Sequence, residues 1–109
     1  MKLISLRGNI LGRNKQLENN PNYIENTLKL GYDVAVDVWS KDKQFYLGHD
    51  KPQHKIERSF LQNKKLWCHA KNIESFYRMI DDDKIHCFFL PNIFPLCDIS
   101  FIYYLQYFI

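Results

Sequence analysis

The chain has 109 residues, of which 46% are hydrophobic and 16% aromatic, with a formal net charge of +3. That is enough for one small domain with a modest core, and the apolar content excludes disorder for the chain as a whole. The cations are scattered, apart from the short Lys64-Lys65 pair, so the sequence shows no basic stripe for nucleic acid and no partner of that kind is expected.

Taken from the N-terminus, residues 2–6 ("KLISL") read as a first buried strand that runs into Arg7-Gly8-Asn9. Residues 9–20 are polar and read as an extended loop. Asn20 and Pro21 open a helix as N-cap and first helical residue, and Gly31 stands where a left-handed C-cap glycine belongs. Residues 33–39 alternate as a second strand, with Asp33, Ala35, Asp37 and Trp39 on one face and Val34, Val36 and Val38 on the other. The chain turns at 40–43, returns as a short strand over 44–47, and reaches Gly48, His49 and Asp50. Residues 51–65 are mixed and charged, with one helical turn expected at 59–63. "LWCHA" (66–70) reads as a third strand. Asn72 then caps a helix in which Ile73, Phe76, Tyr77 and Ile80 recur at helical spacing. "IHCFFL" (85–90) reads as a fourth strand.

Strands alternating with helices predict βαβ units and a parallel α/β sheet. Residues 91–109 differ in character: Pro91 and Pro95 break the chain, and Asp98 is the only charged residue among them. The last apolar stretch is too short to span a bilayer, which takes about 20 residues. No signal-peptide pattern opens the chain, and a cytoplasmic location is the expectation. Three cysteines, Cys68, Cys87 and Cys97, without C-x-x-C spacing argue against a disulfide framework. Cys68-His69 and His86-Cys87 suggest zinc, but neighbouring strand residues point to opposite faces and a structural zinc site needs four ligands, so zinc is rejected.

In a parallel α/β sheet, ligands bind at the carboxyl ends of the strands. Arg7, Asp37 and the pair His69 and Lys71 all fall there, and His49 and Asp50 can fold back over the same rim. Arg7 and Lys71 are the candidate phosphate-binding cations, His49 the candidate general acid or base, and Asp37 a candidate ligand for a hard cation. Competing with these roles, Arg7 could form an ion pair with Asp33 or Asp37, Lys71 could be plain surface, and His69 could be a satisfied core histidine.

"ISLRGN", "ENT" (25–27), "GYDVAVDVW", "YLGHD" and "CHAKN" resemble, in order and spacing, the glycerophosphodiester phosphodiesterase family over residues 2–90. The family pattern is His-Arg-Gly after strand one, Glu-Asn-Thr on the next segment, Glu-x-Asp on strand two, His-Asp beyond it and often Glu-x-Lys on strand three. The resemblance implies a (β/α)8 barrel and metal-assisted hydrolysis of a small glycerophosphodiester. It implies a divalent cation, Mg²⁺ or Ca²⁺, with Asp37 and His69 as metal ligands. Arg7 and His49 become catalytic residues, Arg7 and Lys71 phosphate ligands, and Glu25 and Asp50 members of the site without a fixed role.

Three positions depart from the pattern. Leu6 stands at the family's first catalytic His, Ala35 at the Glu of Glu-x-Asp, and His69 at the third carboxylate. Glu-x-Asp spacing aims two carboxylates at one cation because i and i+2 share a strand face. Ala35 keeps the strand and removes the ligand. The expected architecture is therefore the N-terminal half of a TIM-type barrel, about four β/α units over residues 1–90, followed by a divergent apolar segment at 91–109. Half a barrel is expected to self-associate through its exposed edges. The expected function is that of an inactive or impaired phosphodiesterase homologue. The alternatives are a non-catalytic phosphate-ester binding module and a truncated remnant with no function of its own.

Overall fold

A computed structural model of the chain describes residues 3–89. The segment 91–109, with Cys97 and the divergent apolar stretch expected there, lies outside them. The elements are β1 (Ile4–Leu6), α1 (Pro21–Lys29), β2 (Asp33–Lys41), β3 (Gln44–Leu47), β4 (His54–Ile56), α2 (Arg58–Leu61), β5 (Leu66–Ala70), α3 (Ile73–Ile80) and β6 (His86–Phe88).

They form one six-stranded mixed sheet rather than four β/α units of a half barrel. Among the described residues only β1–α1–β2 and β5–α3–β6 are β/α units, with β1, β2, β5 and β6 parallel. Between β2 and β5 the chain makes an antiparallel excursion through β3 and β4. The sequence had suggested the β2–β3 hairpin but not β4, which is three residues long and buries only Ile56. The excursion lengthens β2 and adds antiparallel strands at one edge, which is the physical reason that the half-barrel expectation fails.

β2 is long enough to take two partners on one edge. Its first residues pair with β1, ending at Leu6 opposite Ala35, and its last residues pair with β3, from Val38 opposite Leu47. Asp37 lies in the gap between them. Its carbonyl accepts from Gly48 N at 3.1 Å, while Ala35 O accepts from Arg7 N at 2.7 Å. This gap positions the site.

The other face of β2 forms the core. Val34, Val36 and Val38 are fully buried with Ile24 of α1, Leu61 of α2, Cys68 of β5 and Met79 of α3. Each such side chain contributes about 1.5–3 kcal/mol of hydrophobic stabilisation. α1 begins as expected, with the Asn20 side chain accepting from Asn22 N and Tyr23 N, and Gly31 follows in the left-handed region (φ 98°).

α3 is capped by Asn72, whose side chain accepts from Ser75 N in a reciprocal capping box. The apolar periodicity of α3 nevertheless points the wrong way. Ser75 and Met79 are buried and Phe76 packs on the core, whereas Ile73, Tyr77 and Ile80 are more than half exposed. The cap fixes where the helix starts, and the small Ser75 lets it sit close to the sheet. Among the described residues no helix is long and apolar enough to cross a membrane.

Candidate functional site

The chain leaves β1 through two left-handed residues, Arg7 (φ 60°) and Gly8 (φ 91°). The first costs an L-residue strain that its hydrogen bonds must hold. They do so at both ends: Arg7 N donates to Ala35 O, and Arg7 O accepts from Asn19 N at 3.0 Å. Gly8 cannot carry a side chain there, because a Cβ would meet the Tyr23 ring at 2.8 Å.

This turn aims Arg7 at Asp37, a buried carboxylate. Arg7 Nε donates to Asp37 Oδ2 at 2.8 Å, and Asn19 Nδ2 donates to the same oxygen at 2.9 Å. His69 Nδ1 lies 3.2 Å from Oδ1. His49 Nδ1 lies 3.6 Å from Oδ2, beyond hydrogen-bond reach, and it is the one buried side-chain N or O atom among the described residues without a hydrogen-bond partner. Burial pushes the Asp37 carboxyl up. The hydrogen bonds from His69 and Asn19, with the charges of Arg7 and Lys71, outweigh it and hold the group well below the ordinary carboxylate range.

Two devices orient the imidazoles. His69 is registered against Asp37 on β2 and Phe88 on β6, and its ring stacks on Phe88 at 5.1 Å and 6°. His49 follows Gly48, whose carbonyl accepts from Trp39 Nε1 at 2.7 Å. Lys71 follows β5, held by its backbone N–H on Val38 O at 2.8 Å.

The structure thus gathers Arg7, Asp37, His49 and His69 at the strand ends, with Lys71 near enough to act on Asp37 through its charge. Of the alternatives for Arg7, the ion pair with Asp37 is the one formed. Asp50 is 89% exposed and touches the group only through His49 Nε2 at 3.6 Å. Glu25 stands exposed on α1, apart from these residues.

Two residues of the site were missed in the sequence. Glu18 is buried and lies 3.6 Å from Arg7 and 3.3 Å from Arg13, and Asn19 bridges to Asp37. Burial pushes Glu18 up, but the Arg13 hydrogen bond, the Arg7 charge and the contacts of Asn9 and Arg13 bring it below its ordinary value. The available signal was a second Glu-Asn pair, at 18–19, directly before the helix cap Asn20 and closer to Arg7 than the pair at 25–26.

The donor set does not fit a hard dication. Mg²⁺ and Ca²⁺ take several oxygen ligands. Here Oδ2 of Asp37 already faces a guanidinium and an amide, Oδ1 faces His69, and Glu18 is shared by Arg7 and Arg13. Ala35 is buried two residues before Asp37 and opposite Leu6 of β1, so the positions where the resemblance expects a carboxylate and an imidazole are apolar neighbours. His69, expected as a metal ligand, instead contacts Asp37. Among the described residues no group of three or more His, Cys, Asp and Glu side chains is placed to hold a metal. No family model, curated protein or solved structure matches the chain.

Proposed function

We propose that this rim binds phosphate esters, with glycerophosphodiesters as the class that the sequence resemblance points to, and does not carry out metal-assisted hydrolysis. The observation that carries the reading is an excess of N–H donors over acceptors at one point. Arg7, Asn19, His49, His69 and Lys71 all bear on the Asp37 carboxylate, and the second carboxylate at this rim, Glu18, is shared by Arg7 and Arg13. Each guanidinium has five N–H donors and the ammonium three, more than the carboxylates of Asp37 and Glu18 together accept. A phosphate group supplies several anionic oxygens and satisfies what Asp37 leaves unmet.

The test is calorimetric titration of glycerophosphocholine and of inorganic phosphate. Saturable binding that weakens with added salt, and weakens further in Lys71→Gln, supports the reading. No binding of either ligand at low salt overturns it.

A second reading is metal-independent cleavage by the two imidazoles. It is favoured by one observation: His69 Nδ1 lies within hydrogen-bond reach of Asp37 at 3.2 Å, and the unpartnered His49 Nδ1 lies 3.6 Å from the same carboxylate, so two imidazoles stand at one point of the rim. Release of glycerol phosphate in the presence of a chelator distinguishes it from binding alone.

A further inference from the structure

Beside His49 the surface opens into a cleft of about 120 Å³ whose lining includes Arg13, Lys15, Glu18, His49, Asp50 and Lys51. At roughly 30 Å³ per water, that holds the equivalent of about four waters, enough for one small anionic group. Its cations, Arg13, Lys15 and Lys51, outnumber its carboxylates, Glu18 and Asp50, by one. Glu18 is already the counter-ion of Arg7 and Arg13. Asp50 is 89% exposed at the lip, its carboxylate 3.6 Å from His49 Nε2. Lys15 and Lys51 are exposed and form no salt bridge among the described residues. Arg13 is fixed at the wall by Nε and Nη2 on the two Glu18 oxygens, at 3.4 and 3.3 Å. His49 belongs to both this cleft and the Asp37 group, so the two are contiguous.

We infer that this cleft is a second anion subsite. It selects phosphodiesters whose other arm carries its own fixed negative charge, such as a second phosphate. The inference rests on the phosphate-ester reading of the Asp37 rim and names the ligand class within it. The diester phosphate meets Arg7 and Lys71. The charged arm extends past His49 towards Lys15 and Lys51, with Arg13 beneath. An arm bearing a quaternary ammonium would meet the same cations and be disfavoured.

The experiment compares three ligands by calorimetry on the full chain: glycerophosphocholine with a cationic arm, glycerophosphoglycerol with a neutral arm, and a glycerophosphoinositol carrying a ring phosphate. The expected order of affinity is anionic over neutral over cationic arm, with about tenfold between the first two at low salt. In Lys15→Gln with Lys51→Gln, both surface changes, that preference should fall below about twofold while the neutral-arm diester binds as before. Equal affinity for the neutral and anionic arms in the wild type overturns the subsite and leaves the phosphate-ester reading standing. A preference that persists undiminished in the double variant also overturns it, since the charged arm then lies elsewhere. Binding of none of the three overturns the phosphate-ester reading and the subsite with it.

Discussion

Asn19 holds Asp37 twice: its Oδ1 accepts from Asp37 N at 3.0 Å, and its Nδ2 donates to Asp37 Oδ2 at 2.9 Å. The amide stands in for the strand that is missing between the end of β1 and the start of β3. It satisfies a backbone N–H that would otherwise be buried without a partner, and fixes the carboxylate in the same contact. Asn19 is fully buried and left-handed (φ 64°), a conformation that Asn tolerates better than most residues.

Asn19→Ala therefore loses both bonds and strands the Asp37 N–H. The expected cost is about 2–3 kcal/mol, read as a lower urea midpoint at unchanged slope. Glu25→Ala, at the exposed Glu-Asn pair on α1, should change the midpoint by less than about 0.5 kcal/mol equivalent.

Asp37 also contributes to stability against acid, as Glu18 does. Its folded pKa lies below the ordinary 3.8, so its contribution is present above that value and is lost as the pH falls below it. Asp37→Asn leaves Arg7 without its closest counter-ion and should destabilise the fold by about 3 kcal/mol at neutral pH. The same variant should flatten the fall in stability below pH 4, measured as urea midpoint against pH.

Gly48 is required for space rather than for its backbone angle. A Cβ there would run into the Lys51 carbonyl oxygen and approach Gln53 N at 3.1 Å. Gly48→Ala should shift the loop that carries His49, cost about 1–3 kcal/mol, and move the His49 imidazole resonances while those of His86 on the far strand β6 stay in place.

Leu6→His with Ala35→Glu introduces the two groups that the glycerophosphodiester phosphodiesterase pattern, which the sequence resembles, has at these positions. The new carboxylate shares a strand face with Asp37. Calorimetric titration of Ca²⁺ should then detect binding that the wild type lacks. Binding no tighter than in the wild type would show that a carboxylate at position 35 does not draw Asp37 away from Arg7, Asn19 and His69.

Much of this site was legible because strand alternation is a local property. The pattern over 33–39 placed Asp37 opposite the valines, and the hairpin after it returned His49 to the same end of the sheet. Glu18 and Asn19 escaped because their segment has no periodicity. Their positions follow from left-handed turns at Arg7 and Asn19 and from a gap in the strand ladder, which are tertiary features. β4 escaped because three residues with one buried side chain carry no detectable alternation. In α3 the apolar spacing misled, since Ser75 and Met79, rather than Ile73, Tyr77 and Ile80, face the sheet.

Binding of a phosphate ester at the Asp37 rim without metal-assisted hydrolysis is the proposal on which the others depend. Phosphorus NMR of glycerophosphocholine with the full chain, recorded with added Mg²⁺ or Ca²⁺ and again with a chelator, tests it most directly. The expected result is a saturable shift or broadening of the diester resonance, the same in both conditions, with no glycerol phosphate appearing over days. A growing glycerol phosphate resonance that requires the cation would contradict it.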